Sequence, residues 1–144
     1  VVITILAILA AVALPRYSGM QVDARIAKVN GGLGALKAGA ALARSVQLTQ
    51  GLAPNDPVVM EGATITMSNG YPTVASIAVA AGITSVDFPS SAPISVSGLQ
   101  QIALHSDASH PNCAVIYREA PPNGAPTFGD PLRSANATDR ANCS

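Results

Sequence analysis

The chain has 144 residues, no net formal charge, and only 11% charged and 3% aromatic side chains, with no tryptophan. That length suits one domain with a modest core. The charge and aromatic content give no field or stacking platform for nucleic acid, and solubility has to come from Ser, Thr, Asn and Gly.

The neutral total conceals an asymmetry. Residues 1–50 carry five Lys or Arg against one Asp, and residues 51–144 carry three Arg against seven Asp or Glu, so the halves stand at +4 and −4. The two readings are solvated charges scattered over the surface and a basic stem that attracts the acidic heads of other copies.

Residues 1–14, VVITILAILAAVAL, contain no charge, and Thr4 is the one polar side chain. A helix of that length rises about 21 Å, short of a hydrocarbon core of roughly 30 Å. The run has no initiator Met and no basic flank, so it does not read as an intact signal peptide. The expectation is that the sequence begins inside a longer apolar segment. Such a segment needs an apolar environment outside its own domain: a bilayer, or copies of itself. The residues expected to enter that environment are Val1, Ile3, Ile5, Leu6, Ile8, Leu9, Val12 and Leu14. Pro15 lacks an N–H and crowds the preceding turn, which predicts a helix break there. Helical hydrogen bonding would be lost over about Ile8–Leu14 in an assembly, with the helix resuming near Tyr17.

Beyond Pro15 the pattern becomes amphipathic. Ile26, Val29, Leu33, Leu36, Ala40, Ala43 and Val46 recur at steps of three and four, the spacing of one helix face, and predict a helix over 17–48 packed on the head. Gly31, Gly32, Gly34 and Gly39 weaken that helix by about 1 kcal/mol each relative to Ala and permit close approach of another backbone. Gly51 and Pro54 end it.

Short strands are predicted at 58–60, 63–67, 94–96, 99–106, 113–118 and near 126–128. Between them Ser68-Asn69-Gly70-Tyr71-Pro72 is turn chemistry, and Thr73 is placed to cap a short helix over 74–81. The fold class is α+β: a long N-terminal helix packed on a small antiparallel sheet. The division is a helical stem over 1–48 and a head over 49–144.

Cys113 and Cys143 fit one structural disulfide in an oxidising compartment, closing a loop of about 30 residues worth roughly 3–4 kcal/mol. The alternative is two buried free thiols. His105, Asp107, His110 and Cys113 are metal-ligand types, but their spacing is not that of a zinc site, and solvated turn residues account for them better. No nucleophile has a base and an orienting group in pattern, the carboxylates are dispersed, and the glycines at 31–34 lie inside a helix rather than after a strand. No catalytic, metal or cofactor site is expected. Asn136-Ala137-Thr138 and Asn142-Cys143-Ser144 are weak glycosylation sequons.

The opening VVITILAILAAVALPRY resembles the N-terminal region of type IV pilins. The pieces Pro15-Arg16, Gln21-Val22-Asp23-Ala24-Arg25-Ile26, the Gly/Ala-rich helix after them, Asn69-Gly70-Tyr71-Pro72 and the late Cys113 and Cys143 look closest to the mannose-sensitive haemagglutinin branch of the type IVa group. The N-terminal likeness covers about the first 30 residues, and the remainder is similar only in the order of elements. The family's leading phenylalanine and glutamate have no counterpart here, so the glutamate's docking role and N-methylation do not carry over. The resemblance implies a ladle-shaped subunit of an extracellular filament on a bacterial surface, used for attachment or motility. Its N-terminal helices would bundle at the filament centre, and a disulfide-bounded C-terminal loop would face outward. The implied partners are copies of the same chain and the pilus assembly machinery of the inner membrane, where the subunit is embedded before assembly. Two alternatives share the stem: a pseudopilin of a type II secretion system, disfavoured by the disulfide-bounded tail, and a membrane-anchored binding or catalytic domain that never assembles. The aromatic residues are too far apart in sequence for an electron path along a filament.

Overall fold

The computed structural model describes residues 1–129 and 143–144, and within its first helix the side chains of Leu14, Pro15, Arg16 and Ser18 are not described. The order is α1 (Val2–Thr49), β1 (Val58–Met60), β2 (Ala63–Ile65), β3 (Met67–Ser68), β4 (Tyr71–Pro72), α2 (Ile77–Ala80), β5 (Ile94–Val96), β6 (Leu99–His105), β7 (Ala114–Arg118) and β8 (Thr127–Phe128). The architecture is α+β, with the long helix laid against small antiparallel sheets.

Helix α1 runs for 48 residues, about 70 Å at 1.5 Å per residue. It passes Pro15 without interruption, so the break expected there is absent from the single chain. A proline deletes one N–H, and the bond lost is the one that would reach the Ala11 carbonyl. The helix continues on either side of the proline. The helix stops at Gln50, where Gly51 takes φ +64°, a left-handed conformation that glycine adopts without strain.

The strands form three antiparallel pieces rather than one sheet: β1–β2, β3–β4 and the four-stranded meander β5-β6-β7-β8. The run expected as a single strand over 63–67 is divided at Thr66. There the Thr66 carbonyl accepts from the Thr73 backbone N–H at 2.9 Å, which turns the chain out of the first hairpin into the second. Tyr71-Pro72, expected as turn, is the return strand of that second hairpin, with Asn69 and Gly70 at its tip at φ +53° and +84°. Thr73 does not cap α2. Its carbonyl accepts from the Ser76 and Ile77 N–H groups in a preceding turn, and Ser76 holds the cap position.

The core lies between one face of α1 and the head. Val29, Leu36 and Ala40 are buried with Val74, Ile77, Ile102, Leu104, Val115 and Tyr117, while Ile26 and Leu33 are partly buried against them. A second cluster joins Ala43 to Val58, Ile65 and Met67. The Tyr117 hydroxyl, fully buried, donates to the Pro72 carbonyl and so ties the four-stranded sheet to β4. Burial pushes that phenol upward, and the Glu119 charge and Tyr71 add to the shift. Gln47, 2% exposed, donates to the Ala53 and Asp56 carbonyls at 2.9 and 3.0 Å and folds the chain back beneath the end of the helix.

Two glycines of α1 admit close neighbours. A Cβ on Gly39 would stand 2.7 Å from the Ala80 carbonyl oxygen, and one on Gly32 would meet the Phe88 ring at 2.8 Å. Gly31 and Gly34 face open space, so only part of the glycine run serves packing within the chain.

Candidate functional site: an exposed apolar helix tip and its anchorage

The head engages α1 from Val22 onward, and the helix before it projects by about 20 residues, roughly 30 Å. Val1, Val2, Ile3, Ile5, Leu6, Ile8, Leu9 and Val12 are all large, apolar and between 53% and 100% exposed. They point in every direction round the helix, because residues 1–13 are exposed without exception. The side chains of Leu14 and Pro15 lie outside the described residues. Thr4 returns its hydroxyl to the Val1 carbonyl at 2.7 Å, so this polar group is satisfied within the helix. Among the described residues no helix is long and apolar enough to cross a membrane.

The anchorage of the helix is polar as well as apolar, and the stem cations provide it. The Arg25 Nε donates to Asp107 Oδ2 at 3.1 Å and its Nη1 to the Cys143 carbonyl at 2.9 Å. One turn on, the Lys28 Nζ donates to the Ser106 carbonyl at 2.6 Å and lies 5.0 Å from the centre of the Phe88 ring. The Arg44 Nη1 donates to the Gly70 carbonyl at 3.2 Å, with the guanidinium 4.7 Å over Tyr71. The Lys37 ammonium stands 5.9 Å over Phe128. The basic stem therefore grips its own head, which sequence alone left as scattered charges or an attraction between copies.

Asp107 organises the turn between β6 and β7. It accepts from the Ser109 N–H at 2.9 Å, and its Oδ1 lies 2.7 Å from His110 Nδ1. Burial works to raise its pKa, but the His110 hydrogen bond, the Ser109 N–H and the charges of His110 and Arg25 outweigh that and hold the carboxyl below its ordinary 3.8. His105 turns to the Pro111 carbonyl instead, its Nδ1 at 2.9 Å. Cys113 is bonded to Cys143, and both are fully buried. Among the described residues no group of three or more His, Cys, Asp or Glu side chains could hold a metal ion. The sequons at Asn136 and Asn142 lie outside the described residues.

Sequence reasoning missed Arg25, Lys28 and Asp107 as a set. Arg25 and Asp107 are 82 positions apart, and no local period connects them. The one available signal was that Arg25 and Lys28 border the apolar stripe three residues apart, which places two cations along the edge of a packed face.

Comparisons with models of known families, with curated proteins and with solved structures found no match to this chain.

Proposed function

We propose that this chain is the major structural subunit of an extracellular type IV pilus, used for attachment or surface motility, with the pilin ladle fold. One observation carries the reading: eight large apolar side chains stand exposed all round the tip of a helix whose remainder is built into a head. Burying a Val, Leu or Ile side chain is worth about 1.5–3 kcal/mol, so the tip represents on the order of 10–20 kcal/mol of unrealised burial, comparable with the whole stability of a typical domain.

A bundle of such tips and a bilayer make the same demand, apolar contact on every side. The subunit would wait in the inner membrane and pass into a filament core at little desolvation cost. The open faces of Gly31 and Gly34 suit the approach of another helix along the exposed side of α1. The Cys113–Cys143 bond suits an outward-facing C-terminal region in an oxidising compartment.

Cold shearing of producing cells, followed by immunogold labelling and electron microscopy of the released material, tests the reading. Labelled filaments of pilus width are the expected result. The chain remaining wholly in the membrane fraction would defeat it.

A further inference from the structure

Two shallow grooves lie along the head-bearing half of α1, on opposite flanks of its exposed side. The first, about 470 Å³, is lined by Lys37, Ala40, Arg44 and Leu48 from the helix and by Tyr71 and Phe128 from the head. The second, about 290 Å³, is lined by Leu42 with Met60, Glu61, Ala63 and Val79 of the β1–β2 hairpin and the α2 segment. At 3.6 residues per turn Leu42 stands about 140° round the helix from Lys37; exposed Ala41 and Ser45 form the near wall of the first groove, and exposed Gly34 and Ala38 complete the ridge between the two.

Each groove has an apolar wall open to water: Leu48 is 64% exposed in the first, and Leu42 and Val79 are 55% and 53% exposed in the second. Their charges are opposite. The first carries two cations and no acid among its lining residues, and the second carries Glu61 and no cation.

Glu61 differs from the other described Asp and Glu side chains. Asp56, Asp87, Asp107 and Glu119 each accept a hydrogen bond from a neighbour in the chain, and Asp23 also has a partner. Glu61 is exposed, and among the described residues it has none. It also occupies a hairpin-tip position at φ +49°, where Asn, Asp or Gly is the usual residue, so a glutamate there is held against local backbone preference. Across the ridge the exposed Lys37 makes no hydrogen bond among the described residues and is occupied only by the Phe128 ring face.

We propose that neighbouring copies of this chain dock flank to flank, with the Glu61 groove of one copy seated on the Lys37 groove of the next. Glu61 pairs with Lys37, and Leu42 and Val79 pack near Leu48. Because the two surfaces are different and lie on different sides of the same helix, the contact is heterologous: every copy offers one surface of each kind, a docked pair still has one of each free, and the association propagates instead of closing as a dimer. The proposal rests on the filament reading and specifies which faces of the heads meet.

A charge exchange tests it in cells lacking the native copy. Lys37→Glu and Glu61→Lys are each expected to lower the yield of sheared filaments about tenfold or more, since each sets like charges opposite one another at every subunit contact. The double variant restores the opposite-sign pair and is expected to return most of the yield. Thermal melting of purified Glu61→Lys should coincide with wild type, and Lys37→Glu should melt only slightly lower, by the loss of its contact with the Phe128 ring, too little to account for a loss of filaments. Single variants that assemble as wild type, or a double variant that fails to recover, would overturn the pairing and leave the filament reading standing. Wild-type cells that release no filaments would overturn both.

Discussion

Gly34 and Gly39 are five residues apart on one helix and call for opposite outcomes on substitution. A methyl group at Gly34 meets nothing within 4 Å, so Gly34→Ala gains helix propensity and should stabilise the chain by about 1 kcal/mol. At Gly39 the methyl would be driven into the backbone of Ala80 and Ala81 at 2.7–2.8 Å, and neither can yield as a flexible side chain would. Gly39→Ala should therefore destabilise by about 1–3 kcal/mol as α2 is pushed off α1. Thermal denaturation of the two variants in the same detergent checks both signs. Asp107 supplies a pH dependence at the same scale. Its carboxyl is held below the ordinary value of 3.8, so its stabilising contribution is complete above that value and is lost as pH falls through the lowered one. Wild type should melt above Asp107→Asn at neutral pH, and the gap should close as pH is taken below about 3.8. A gap that stays constant down the acid limb would show that the Arg25–Asp107–His110 contacts do not hold the stem.

At the scale of elements, what was legible followed from short-range pattern. The apolar steps of three and four over 26–46 correspond to the residues facing the core, and the bounds of β1, β5, β6 and β7 lie within about a residue of the expected strands. The failures came where tertiary contact outweighed local pattern. The alternation continues to Met67 and predicts strand through Thr66, yet the Thr66 carbonyl is taken by the Thr73 N–H. The break expected at Pro15 in an assembly is absent from the single chain, where α1 continues through it, since one missing N–H does not by itself open a helix whose other bonds persist. The apolar tip was evident from its composition, whereas Arg25, Lys28 and Asp107 were not, because their pairing is made by the return of the β6–β7 turn onto α1. The disulfide belongs to that return. Cys143 is fixed to Cys113, and its carbonyl also receives Arg25, so one bond places both the end of the chain and an anchor of the helix. Cys143→Ser should remove about 3–4 kcal/mol of loop-closure stabilisation and loosen the Arg25 contact. Limited proteolysis under oxidising conditions should then cut the C-terminal region faster than in wild type. Equal cleavage rates would mean that the bond does not restrain this region.

For the molecule as a whole, the decisive separation is between the part of α1 that folds the head and the part that does not. The core begins to engage the helix at Val22, and Leu9 is 61% exposed. A change at Leu9 therefore lies outside the described core, and Leu9→Asp should leave the head's melting temperature where it is. In an assembled core or a bilayer the same aspartate would sit in an apolar environment, where a charged side chain costs about 2.5–3.5 kcal/mol even on the lenient insertion scale. Under the proposed filament reading that penalty recurs in every subunit. Filaments should be lost altogether, while the purified variant keeps its disulfide and its head's thermal transition. The two readouts distinguish the causes. Loss of filaments together with an unchanged melt assigns the tip to assembly alone. A lowered melt would mean that the tip also supports the head, and intact filaments with an unchanged melt would mean that the apolar surface at the end of α1 is buried by something other than its own copies.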